Sequence, residues 1–284
     1  MSEISPALYR AGDGEPLLLL HGFTGTWHHW RPLLGELVAR YEVVAPTLPG
    51  HYGGPAYPLS SSINLAGATD LLESQLDDLG VDTAHVVGNS LGGGLALELA
   101  KRGRARSVVA IAPGGGWTEG DGEAQRVGRF FARQVRTTRA TAAALPRIMR
   151  RPGTRHLALR EIMRHGELVA PADAVDLARA SLGCSVIGRV LDALRADRDL
   201  SLRNLSSVAA PVLLASPQFD RVLPAERHAP RLRREIRGLE SRVLPDCGHV
   251  PMWDDTRLLV RIISEFVDRH TAPGTIALSA LAQT

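Results

Sequence analysis

The sequence predicts an α/β fold: a mostly parallel central sheet with helices on both faces and a helical cap inserted before the last strands. Three observations carry this. Short continuous apolar runs at residues 16–20, 41–45, 84–87 and 107–112 read as strands buried on both faces, the habit of parallel strands. Stretches of helical period separate them. The alternation lapses across residues 117–205, which hold several helical patterns and no convincing strand.

Taken in order, residues 5–10 suit an edge strand. Residues 16–20 form an interior strand ended by His21-Gly22, and residues 23–30 a loop. Pro32 fits the first turn of a helix over 32–40. The strand at 41–45 stops at Pro46, and residues 47–58, dense in Gly and Pro, form a loop. Residues 64–79 place Leu65, Ala68, Leu72, Leu76 and Leu79 on one helical face, ended by Gly80. A strand at 84–87 runs into a helix over 91–102. The strand at 107–112 ends at Pro113-Gly114-Gly115-Gly116. Helical patterns follow at 125–138, 155–168, 172–182 and 186–196. Strands at 211–216 and 241–244 and a helix within 251–270 close the alternation. Residues 1–116 and 206–284 would then form the core, and 117–205 a cap or lid. Right-handed crossovers place the strand ends near Phe23, Ser90, Asp220 and His249 on one edge. The uncharged residues 271–284 fit either a disordered tail or a docking segment.

A hydrophobic content of 44% supplies a sizeable core, and no apolar run approaches the roughly 20 residues that cross a bilayer. Residues 1–10 lack the pattern of a secretory signal. Two cysteines, Cys184 and Cys247, give neither a metal spacing nor a disulfide framework, so a cytoplasmic location is expected. Lys101 is the only lysine; the other basic residues are arginines, which points to coding bias. The net charge of +3 is therefore not read as nucleic-acid binding, and no membrane partner is expected.

The chemistry centres on Gly88-Asn89-Ser90-Leu91-Gly92. A strand that becomes a helix within a residue or two strains its central residue, and glycines on both sides make room. Ser90 reads either as a helix N-cap or as a nucleophile raised at the carboxyl edge of the sheet. A serine hydroxyl needs a base, held in one tautomer by a carboxylate. His249 lies in a turn between the last strand and the last helix. Asp220 follows the strand at 211–216. Asp246 is nearer in sequence but reads as a turn former, and Asp197 and Asp199 as solvated residues at the end of the cap.

The order Ser90, Asp220, His249, with His21-Gly22-Phe23, Leu48-Pro49-Gly50-His51, the Gly88–Gly92 turn and Gly248-His249, resembles the α/β-hydrolase superfamily over nearly the whole chain. The resemblance implies an oxyanion hole from the backbone amides of Phe23 and Leu91, a structural His21, and no cofactor or metal. Family members often carry an acid before the Pro-Gly of the second loop, and Thr47-Leu48-Pro49-Gly50 has none. The serine speaks against the epoxide-hydrolase and haloalkane-dehalogenase branches, which need a carboxylate nucleophile. The expected function is a serine hydrolase cleaving an ester or related acyl bond of a small, largely apolar molecule. The alternatives are a C–C bond hydrolase of ring-fission products, thioesterase, acyltransferase or lyase chemistry on the same triad, and a ligand-binding pseudo-hydrolase. Trp27, His28 and Trp117 either line the substrate pocket or pack the cap onto the core. Arg126, Arg129, Arg133 and Arg136 fall on one helical face. From Arg126 to Arg164 there are eleven arginines and one acid, Glu161. This face is a solvated surface, or it steers an anionic substrate or an acidic carrier protein.

Overall fold

The computed structural model describes residues 3–197 and 200–271. Strands β1 (Glu3–Ile4) and β2 (Leu8–Ala11) precede the interior strand β3 (Pro16–Leu20). A 3-10 turn, Trp27–Trp30, leads into α1 (Arg31–Val38), β4 (Glu42–Pro46) and α2 (Leu65–Asp78). Next come β5 (Ala84–Asn89), α3 (Leu91–Lys101) and β6 (Ala105–Ile111). The cap holds α4 (Glu123–Thr141), α5 (Leu145–Ile148), α6 (Pro152–Leu159), α7 (Pro171–Leu182) and α8 (Ile187–Ala196). The chain returns to the core with β7 (Val212–Pro217), α9 (Ala225–Glu235), β8 (Glu240–Leu244) and α10 (Thr256–Arg269).

The eight strands form one sheet in the order β1-β2-β4-β3-β5-β6-β7-β8. The β1–β2 and β2–β4 pairs are antiparallel, and the other five pairs are parallel. Successive side chains of a strand face opposite sides of the sheet. In β3, Leu17 and Leu19 pack with Leu33, Leu37, Ile263 and Phe266 of α1 and α10. Leu18 and Leu20 pack with Leu72, Leu76, Leu95 and Leu99 of α2 and α3 on the other face. A run of four leucines is thus two alternating stripes, each covered by its own helices. A third cluster joins Phe23, Val222 and Leu223 of the core to Phe130, Phe131, Ile187 and Leu194 of the cap.

From β3 the chain steps outward to β4, then crosses back to β5 on the other side, with Leu20 opposite Gly88. The carboxyl ends of β3 and β5 therefore meet where the strand order reverses, the place where open α/β sheets leave a crevice. β6, β7 and β8 continue outward from β5, so the loops after β7 and β8 lie along the same edge.

Three expectations are corrected. The edge strand at 5–10 is broken by a turn in which Ser5 N–H donates to the Leu8 carbonyl (2.8 Å). The helix expected over 155–168 ends at Leu159, because the residues after it bond to the core. The Ile162 carbonyl accepts the Val250 N–H (2.8 Å), and the N–H groups of Arg164 and His165 donate to Asp254 (3.0 and 2.7 Å). Helix α9 was not anticipated: it is strongly polar and carries Pro230 in its interior, so its period is hard to read. Among the described residues, no helix is long and apolar enough to cross a membrane. Asp199 and residues 272–284 lie outside the described residues.

Candidate active site

Four non-glycine residues with left-handed backbone follow strands at this one edge: Thr24, Ser90, Ala112 and Asp246, with φ of 66°, 55°, 44° and 52°. Such strain persists only where surrounding structure holds it, and it gathers at functional sites. At Ser90 the cause is visible. Its N–H donates to the Ile111 carbonyl (2.9 Å) while its carbonyl accepts from Gly94 (3.1 Å) and Gly114 (2.7 Å), so strand and helix both claim the residue. A Cβ at position 88 would overlap the Gly92 carbonyl, and one at 92 would overlap the Leu20 carbonyl. Ser90 makes no side-chain cap bond to α3, so the N-cap reading fails and the hydroxyl is left for other partners. Leu91 opens α3, and its N–H is among those that have no acceptor inside the helix.

His249 and Asp220 are both buried. His249 Nδ1 lies 2.7 Å from Asp220 Oδ2. An ionised carboxylate only accepts, so Nδ1 carries the proton and Nε2 presents its lone pair. The other carboxylate oxygen, Oδ1, accepts from the N–H of Val222 (2.8 Å) and of Leu223 (2.7 Å). Burial alone would raise the Asp220 pKa. The adjacent His249 and these two amides outweigh it and hold the carboxyl below its ordinary value. His249 Nε2 is buried and has no hydrogen-bond partner; the residues His249 and Ser90 border the same cavity. Catalytic hydrogen bonds are often loose before substrate binds.

Asp246 turns away from His249. Its carboxylate takes Arg164 Nε (2.9 Å) and His165 Nε2 (2.8 Å) of the cap, as befits a turn residue rather than a triad member. His21 is buried and bridges two loops. Its Nε2 accepts the Leu48 N–H (2.9 Å), so Nδ1 donates to the Gly22 carbonyl (2.8 Å). That pins the Gly22-Phe23 loop to the loop after β4. In the loop after β4, which lacks the acid usual in the family, the Thr47 hydroxyl donates to the Pro6 carbonyl (2.8 Å).

A cavity of about 580 Å³ opens beside Ser90 and His249 under the cap, and a second of about 100 Å³ also reaches Ser90. Trp117 lines the smaller one, beneath the start of the cap. Trp27 and His28 line neither, which corrects the reading that they line the substrate pocket. They belong to a 3-10 turn, in which successive side chains point about 120° apart. Trp27 faces the core, its Nε1 donating to the Ser5 carbonyl (2.8 Å), and the next residue but one, His29, faces the larger cavity. The arginine stripe also divides. Arg126 is tied to Glu123 and to the Val222 carbonyl at the joint between cap and core, Arg133 borders the larger cavity, and Arg129 and Arg136 are exposed.

Sequence reasoning missed two residues here. Asn89, fully buried, donates through Nδ2 to the carbonyls of His249 (2.9 Å) and Ile111 (3.3 Å), which ties the residue before Ser90 to the backbone of the histidine. Asp254 accepts from Gly248 N–H (2.7 Å) as well as from Arg164 and His165, so one carboxylate holds the histidine turn and the cap together. Neither carried a sequence signal: the partners of Asn89 lie 22 and 160 residues away, and two of those of Asp254 about 90. Asn89→Ala is expected to lower kcat about 10- to 100-fold with little change in KM, by loosening the alignment of the elbow and the imidazole. It should also cost about 1–3 kcal/mol of stability, because the His249 carbonyl loses its donor. Steady-state kinetics and urea unfolding read both; unchanged kcat in the folded variant would reject the tether.

A family model described as the alpha/beta hydrolase family matches residues 17–262. Among known proteins, the epoxide hydrolase EphH of Mycobacterium tuberculosis is 32% identical over 200 residues, covering 70% of this chain and 92% of its own length. The 2-hydroxy-6-oxo-6-phenylhexa-2,4-dienoate hydrolase of Burkholderia cepacia is 36% identical over 111 residues, 38% of this chain and 40% of its own. Of solved structures, a meta-cleavage product hydrolase from Pseudomonas fluorescens IP01 shares the fold, with a TM-score of 0.70 at 21% identity over 95% of this chain and 99% of that one. The chain belongs to the α/β-hydrolase family and is a hydrolase.

Proposed function

We propose that this hydrolase cleaves an ester or related acyl bond of a small, largely apolar molecule through an acyl-enzyme on Ser90. The observation that carries the reading is the buried His249–Asp220 pair at 2.7 Å, its second carboxylate oxygen saturated by two amides, on the rim that also holds the strained Ser90. Ser90 Oγ attacks the carbonyl carbon and its proton passes to His249 Nε2. The carbonyl oxygen becomes an oxyanion held by the amides of Phe23 and Leu91, where one donor is typically worth about 2.7–4 kcal/mol of barrier. The imidazolium, steadied by Asp220, returns the proton to the leaving oxygen as the C–O bond breaks. Water, deprotonated by the same nitrogen, then opens the acyl-enzyme and releases the acid.

The name of the mycobacterial relative refers to epoxides. Opening one through an alkyl-enzyme ester needs a carboxylate where this chain has Ser90, so the acyl reading stands first. A second reading, hydrolysis of a C–C bond in a ring-fission product, is favoured by the likeness to the dienoate hydrolase and by the wording Gly88-Asn89-Ser90-Leu91-Gly92-Gly93. Side-by-side turnover of aryl esters and ring-fission dienones separates the two.

Labelling tests the acyl-enzyme reading. A small alkyl fluorophosphonate should add to the wild-type enzyme with 1:1 stoichiometry on the peptide containing Ser90 and should leave Ser90→Ala unlabelled. Equal labelling of that variant would remove Ser90 as the nucleophile.

A further inference from the structure

Ser90 stands where two cavities of different size meet. The larger one has a mostly apolar wall that includes Phe130, Ile148 and Leu177, with Gln134 and Glu161 among them, and it reaches His249. The smaller is mostly apolar, walled by Leu65, Leu91, Val127, Val190 and Leu194. Phe23, Ser90 and Phe131 border both, and the rings of Phe23 and Phe131 meet edge-on at 5.0 Å to form the partition. The asymmetry matters: His249 borders only the larger cavity, and Leu91 only the smaller.

Acyl transfer assigns the two sides. The departing oxygen must take its proton from His249 Nε2, so the leaving group lies in the cavity that His249 borders. The carbonyl oxygen turns toward the amides of Phe23 and Leu91, and the chain attached to the carbonyl carbon runs past them into the other space. A cavity of about 150 Å³ holds a benzene molecule, so about 100 Å³ holds roughly four carbon atoms. The larger space takes a far bulkier group.

Resting on the acyl-enzyme reading above, we infer that the substrate is a short-chain ester. Its acyl part, of about four carbons, sits in the small apolar cavity, and a larger, mostly apolar alcohol or phenol fills the cavity under the cap. Val127 and Val190 set the acyl limit.

The test is kcat/KM for 4-nitrophenyl esters from acetyl to octanoyl, with fluorophosphonate titration of Ser90 on the same preparations. The wild type should peak at butyryl and fall at least tenfold by octanoyl. Val190→Phe should move the peak to acetyl. Val127→Ala should move it towards hexanoyl, which covers the case in which the larger side chain cannot fold. A profile flat or rising through octanoyl, or a peak that neither folded variant moves, overturns the assignment of the cavities. If Ser90 still titrates fully in that case, the acyl-enzyme stands and only the assignment fails. Absence of both labelling and ester turnover removes both.

Discussion

Asp220→Asn is expected to lower kcat by about four orders of magnitude while leaving the fold and the affinity for substrate nearly intact. The two amides that reach Oδ1, at 2.7 and 2.8 Å, decide how the new side chain sits. They can be satisfied only by an oxygen, so the amide nitrogen of the asparagine must face His249 Nδ1. That nitrogen donates, Nδ1 becomes the acceptor, and the imidazole proton moves to Nε2. The lone pair that should take the Ser90 proton is then gone. Burst kinetics with an activated ester, together with thermal unfolding, separate this from simple destabilisation. A stable variant that retains a tenth or more of the wild-type kcat would show that the carboxylate is not what keeps the base in its working tautomer.

The second large effect is acid lability set by histidines rather than carboxylates. Burial holds His29 neutral down to about pH 3, with the neighbouring His28, His51 and His249 adding to the effect. Burial also lowers His51 to about 4, although backbone carbonyls partly oppose it. In the unfolded chain each takes a proton near pH 6.5. Between those values the unfolded state binds more protons, so stability is complete above about pH 7 and drains as pH falls from 6.5 towards 4. Each imidazole withdraws on the order of 3 kcal/mol over that window, and the pair rivals the whole stability of a typical domain. The Asp220 carboxyl, held below its ordinary value, adds its loss only at lower pH still. Circular dichroism against pH should therefore show unfolding centred between about 4 and 5.5, and His51→Gln should move it downward. Unfolding that begins only below pH 3.5 would contradict the neutral buried histidines.

Much of this site was legible one residue at a time. Ser90 was marked by the glycines at 88 and 92, which no other residue can replace where two backbones touch. Asp220 and His249 were marked by their place after β7 and β8, because a chain alternating strands and helices returns every such loop to one edge. Where reading failed, the cause was local direction or distant partners. Trp27, His28 and His29 look equivalent in sequence, and only the 120° step of a 3-10 turn decides which of them faces the cavity. Arg126 and Arg133 share a helical face, yet one is tied to a carbonyl of the core and the other borders the cavity.

Periodicity, paired glycines and chain direction are local properties, so the layered sheet and the strained turn at Ser90 can be read from the chain alone. Folding sets which polar groups become neutral, that Asn89 ties the elbow to the histidine backbone, and how the space around Ser90 divides in two. Burial, cavity shape and partners 160 residues apart arise from packing, and no stretch of chain carries them alone.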